Sequence, residues 1–147
     1  MVALWPVVLA VFIGAALSFQ PVINNVSAGI LNSALAAATI SLLTSAILVF
    51  SVLLMRGEAI RLDKILDLPW WVLLGGLAGA IFVSGGLILV PRIGVTSFFV
   101  CVIAGQLVGA VIADYIGAFG LVSRDLSISK LVGVFMAFLA VLFVRFG

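Results

Sequence analysis

Five runs of about twenty residues each are apolar on every helical face, and this feature limits the chain more than any other. A helix needs roughly 20 apolar residues to cross a bilayer. Five such helices account for most of the 147 residues, and the remainder is divided among ends and loops. Outer-membrane strands alternate apolar and polar positions, which these runs do not. Only 8% of the residues are charged, against roughly 25% in an ordinary soluble domain. With 66% hydrophobic residues and a mean hydropathy of +1.52, soluble globular, disordered and collagen-like chains are excluded. The expectation is one all-α integral membrane domain over residues 1–147. Its five helices are expected at about 2–20, 34–55, 69–90, 95–114 and 130–146.

Each run carries its own punctuation. Trp5, near the start of the first, suits a membrane interface. That run meets Gln20-Pro21, where proline removes a helical hydrogen bond and crowds the preceding turn. Polar residues follow at Asn24, Asn25, Ser27, Asn32 and Ser33. Either Pro21 ends the helix and the asparagines lie in an interfacial loop, or the helix continues kinked and partly unwound. The first is preferred, because residues 2–20 already suffice to span. The second run opens on Ala34, Ala36, Ala37 and Ala38 and carries Thr39, Ser41, Thr44 and Ser45. From Arg56 to Leu68, Ile60, Ile65 and Leu66 alternate with Arg61, Asp63 and Lys64, which predicts a short amphipathic segment on the membrane surface. Asp67 and Pro69 suit the start of the third helix, and Trp70 and Trp71 are expected to anchor it at the headgroups. Pro91-Arg92-Ile93-Gly94 predicts a tight turn, and Asp114-Tyr115 closes the fourth run. The last and shortest run ends at Arg145.

Lysine and arginine in the loops set the orientation. Arg56, Arg61, Lys64, Arg124 and Lys130 fall on the side of the N-terminus, and Arg92 and Arg145 on the other. That asymmetry predicts the N-terminus inside in most copies. The net charge of +2 includes no basic run, so no nucleic-acid partner is expected. The N-terminus lacks the basic region of a signal peptide. Cys101 is the one cysteine, and with no histidine in the chain neither a disulfide nor a metal centre is expected. Without a nucleophile–base pair, a phosphate-binding glycine loop or a metal cluster, neither an enzyme nor a cofactor is expected.

Several motifs occur in order along the chain. They are Gln20-Pro21-x-x-Asn24, Pro69-Trp70-Trp71 before Gly75-Gly76-x-x-Gly79, Pro91-Arg92-x-Gly94, Ala104-Gly105-Gln106-Leu107 and Asp114-x-x-Gly117-x-x-Gly120. The series resembles the YdcZ-like family of small inner-membrane exporters in the drug/metabolite transporter superfamily, and it covers nearly the whole chain. The resemblance implies a bacterial inner membrane and five-helix units paired antiparallel into a ten-helix assembly. The partner is then a second copy or an oppositely oriented paralogue, and dual topology follows. The related small multidrug resistance proteins carry a membrane-embedded glutamate in their first helix. Residues 2–19 hold no acid here, so their cation antiport is not carried over.

Gln106 lies near the middle of the fourth run, where an amide either bonds to a neighbouring helix or faces a solute. Gln20, Asn24 and Asn25 around Pro21 are the other substrate-binding candidates, since a broken helix exposes backbone groups that can coordinate a solute. Asp114 sits at a helix C-terminus, where a carboxylate is unfavourable. It is expected to pair with Arg124, Lys130 or a partner's cation, with ion coupling as the alternative. Arg92 is expected to anchor its turn at the headgroups, an anion-attracting role being the alternative. Gly75/Gly79 and Gly105/Gly109 permit close helix approach and are expected to pack within the chain.

An odd helix number leaves no room for an internal inverted repeat, which a second, inverted copy would supply. The expected function is alternating-access transport of a small solute by an antiparallel dimer in the bilayer. Its midplane cavity would be lined by Gln106 and polar groups of the first two spans. A small dual-topology ion channel and a non-transporting scaffold subunit are the alternatives.

Overall fold

The computed structural model describes residues 4–58 and 60–147. Among these, five helices are long and apolar enough to cross a membrane. They are α1 (Trp5–Leu31), α2 (Ala34–Met55), α4 (Leu73–Ile93, entered through a 3-10 turn at Trp70–Val72), α5 (Val95–Ile116) and α6 (Ile128–Phe146). The single turn α3 (Leu62–Ile65) lies between α2 and α4. The all-helical class and the number of spans follow the apolar runs. The expected helix start at residue 2 lies outside the described residues.

The main departure is at Pro21. The expected helix end there is absent, and α1 continues for ten further residues, to Leu31, with Pro21 buried inside it. Proline still deletes the bond its N–H would make to the Leu17 carbonyl. Membrane helices tolerate this loss where neighbours support the backbone. That support comes from α2, which packs along α1 and takes a hydrogen bond from Asn24. The asparagines therefore sit on a helix and not in a loop. At about 40 Å, α1 exceeds the roughly 30 Å hydrocarbon layer and must tilt or project.

The α1–α2 connection is the pair Asn32-Ser33. Asn32 takes the left-handed conformation (φ 50°, ψ 30°), and the Ser33 N–H bonds back to the Ala28 carbonyl at 3.2 Å. Ser33 then caps α2, accepting a hydrogen bond from the Ala36 N–H at 3.2 Å. A connection this short forces two adjacent antiparallel helices.

Close contacts divide the chain into two compact units, Met1–Arg92 and Ile93–Gly147. In the first, Ala37 and Ala38 of α2 form a core with Val83 and Leu87 of α4, flanked by Ala28, Ala34, Leu42 and Phe82. Alanines at this seam let the helix backbones approach. In the second, α5 packs on α6. Elsewhere the large apolar side chains are mostly exposed, as lipid requires.

Other ends shift as well. Pro91, Arg92 and Ile93 belong to the last turn of α4, which leaves Gly94 (φ 82°) as the whole of the expected turn. Helix α5 runs past Asp114 to Ile116, and α6 begins at Ile128. The expected amphipathic surface segment is one helical turn only. Gly57 (φ 67°) follows the end of α2, and exposed short-range ion pairs run along the rest: Arg56–Glu58 and Arg61–Asp63 at 2.8 Å, Lys64–Asp67 at 3.2 Å. A helix of four residues is too short to present an amphipathic face.

Candidate solute cleft

Gln20, Asn24 and Ser27 recur on α1 at spacings of four and three, so they share one face with Ala16. Ala37, Ser41, Thr44 and Ser45 do the same on α2. The antiparallel pairing turns these faces toward each other. Together with Ile23 and Ile40 they line an open cleft of about 420 Å³, within the range of small-molecule sites. Thr44 and Ser45 stand at mid-height of α2, and Asn24 and Ser41 lie nearer its first turn.

The hydrogen bonds fix which atoms the cleft offers. The Asn24 amide Nδ2 donates to Ser41 Oγ at 3.0 Å, and Asn24 is only 8% exposed. Thr44 Oγ1 donates to the Ile40 carbonyl at 2.8 Å, and Ser45 Oγ donates to the Ser41 carbonyl at 3.0 Å. These two hydroxyl protons are thus committed to the helix backbone, while their oxygens keep lone pairs. Gln20 is half-buried and its amide makes no bond among the described residues. No lining residue is charged.

Of the residues expected to bind solute, Gln20 and Asn24 line this cleft and Asn25 does not. Gln106 is exposed on α5, and its side chain makes no hydrogen bond among the described residues. The lining also includes Ser27, Ser41, Thr44 and Ser45, which the sequence left as unspecified polar groups of spans one and two. Their recurrence at helical spacing opposite Gln20 and Asn24 was the available signal. That signal was masked by the expectation of a helix end at Pro21.

Asp114 forms an ion pair with Lys130 at 3.0 Å, linking α5 to α6. Arg124 approaches Asp114 through its backbone, donating its N–H to the Asp114 carbonyl at 2.8 Å. The ammonium of Lys130 offsets the unfavourable carboxylate in the last turn of α5. Arg92 is exposed in the last turn of α4 and has no ion pair among the described residues. Trp70 and Trp71 form the 3-10 turn that leads into α4. A methyl group added at Gly75, Gly79, Gly105 or Gly109 would meet no atom within 4 Å. No group of three or more His, Cys, Asp or Glu among the described residues could hold a metal ion.

Five apolar spans, with an open cleft of mixed polar and apolar lining between the first two, define a multi-pass helical membrane protein. Over residues 5–143 the sequence matches the model of the family described as "Putative inner membrane exporter, YdcZ", and the chain belongs to that family. Its place is the inner membrane, crossed several times. No curated protein and no solved structure matches the chain.

Proposed function

We propose that the chain is a small-solute transporter, an exporter, that works by alternating access as an antiparallel dimer. The observation that carries this is the uncharged polar cleft between α1 and α2. Lipid over this recess would leave the unpaired Gln20 amide unsatisfied, so the recess should face protein or water. A second, inverted copy would cover it and supply the repeat that five helices lack. The open surfaces at Gly75/Gly79 and Gly105/Gly109 suit close approach of that copy, and the exposed Gln106 amide needs the same cover. Gln20 and Asn24 would contact the solute. Asn25 and Gln106 would line the covered path. Arg92, Trp70 and Trp71 would anchor at headgroups, and Asp114 with Lys130 would be a structural pair and not a coupling site. With no catalytic constellation in the sequence, the chain would not act as an enzyme.

Counterflow in reconstituted liposomes, run over a broad panel of small metabolites, tests the proposal. Saturable uptake of some solute is expected. Unsaturating flux would mean a channel, and no flux for any solute would mean a non-transporting subunit.

A further inference from the structure

The chemistry of the cleft narrows its ligand. Resting on the transporter proposal above, we infer that the α1–α2 cleft takes a neutral, multiply hydroxylated solute of the polyol class.

Charge decides the first part. The groups that face the space are Gln20, Asn24, Ser27, Ser41, Thr44 and Ser45, and none is ionisable. A cation or anion moved into this recess would give up its hydration with no opposite charge to replace it, which costs several kcal/mol even after relaxation. A neutral solute gives up only hydrogen bonds, some of which the polar side chains of the lining can return.

Donor and acceptor accounting decides the second part. Thr44 Oγ1 and Ser45 Oγ spend their protons on the carbonyls of Ile40 and Ser41, so toward the cleft they act as acceptors. The Asn24 amide spends one N–H on Ser41 Oγ and keeps its carbonyl oxygen as an acceptor. The Ser41 hydroxyl receives that bond and retains its own proton to donate. Gln20 presents both a carbonyl and an amide. The mid-height of α2 is therefore rich in acceptors, with donors interleaved from Ser41 and Gln20. A hydroxyl is both donor and acceptor, so a chain of them matches an alternating lining, whereas a carboxylate offers acceptors only and an ammonium donors only. The apolar wall of Ala16, Ile23, Ala37 and Ile40 faces the carbon skeleton. Because no lining group titrates near neutral pH, the cleft itself carries no proton, and uptake should be independent of a pH gradient.

The test is counterflow of radiolabelled erythritol, choline and lactate in liposomes, with and without a pH gradient. The wild-type chain is compared with the Thr44→Val plus Ser45→Ala variant. The expected result is saturable erythritol uptake, indifferent to the gradient, with neither ion carried. In the variant it should fall about tenfold, the combined effect of two neutral hydrogen bonds, with melting temperature and oligomeric state unchanged. Should the double variant unfold, Ser45→Ala alone serves, with about a threefold loss expected. Saturable choline or lactate uptake that the variant abolishes would overturn the polyol class and leave transport through the cleft standing. Erythritol uptake that a folded variant retains in full would overturn the cleft as its site. No saturable uptake of any of the three overturns the polyol class. The transporter proposal falls only if the broad metabolite panel is also silent.

Discussion

At the scale of single residues, two polar side-chain contacts join helices. Asn24 reaches Ser41 across α1 and α2, and Lys130 reaches Asp114 across α5 and α6. The second pair allows a clean measurement. Both side chains are about one third exposed (33% and 37%), so solvent screens the attraction and a contribution of up to about 1 kcal/mol is appropriate. Lys130→Met should lower the melting temperature by a few degrees. Asp114→Asn in the same chain should recover most of the loss, because the carboxylate it strands at the end of α5 is then gone. Purified single and double variants compared by thermal unfolding in detergent check this. Additive losses would mean that the pair is incidental. The sequence named Lys130 among the partners of Asp114 but could not choose it over Arg124. The choice depends on Gly117 (φ 63°) turning the chain so that Arg124 meets Asp114 with its backbone.

At the scale of elements, the spans were legible because a bilayer asks one thing of a helix, and roughly twenty apolar residues in a row answer it. Not all of their ends were legible, although α2 runs from Ala34 to Met55 as expected. Pro21 and Pro91 are signals that end helices in water, yet each lies inside a helix here. In hydrocarbon an unwound turn leaves several backbone groups unpaired, whereas proline deletes a single bond, so the helix persists past the breaker. The same miss hid the cleft, since Asn24 and Ser27 face α2 only if α1 remains helical to Leu31. A cysteine scan over residues 22–31, in a chain with Cys101 changed to Ser, should show a helical period of 3.6 in its labelling by a water-soluble maleimide. The strongest labelling should fall on the cleft-facing positions 23 and 27, with position 24, buried against α2, labelled weakly. Uniform labelling along the segment would restore the loop and remove the α1 wall of the cleft.

At the scale of the whole molecule, orientation is decided by few charges, and the ion pairs do not change how they should be counted. Arg56, Arg61 and Lys64 each hold a carboxylate neighbour at 2.8–3.2 Å, in Glu58, Asp63 and Asp67. All six side chains are more than half exposed, where such pairs are weak, and acidic residues contribute little to the orientation of short loops. The three cations should therefore keep their influence, joined by Arg124 and Lys130 on the same side, against Arg92 and Arg145 on the other. Most copies should insert with the N-terminus inside and the C-terminus outside. Paired fusions to the C-terminus, one reporter active only in the cytoplasm and one only beyond the membrane, measure the split directly. The outer reporter should dominate in the wild type. Changing Arg56, Arg61 and Lys64 to Gln should bring the two signals toward equality, because two cations would then remain on each side. A dominant cytoplasmic signal in the wild type would refute the orientation. Near-equal signals before any substitution would mean that both orientations coexist, the condition under which one chain can build an antiparallel dimer by itself.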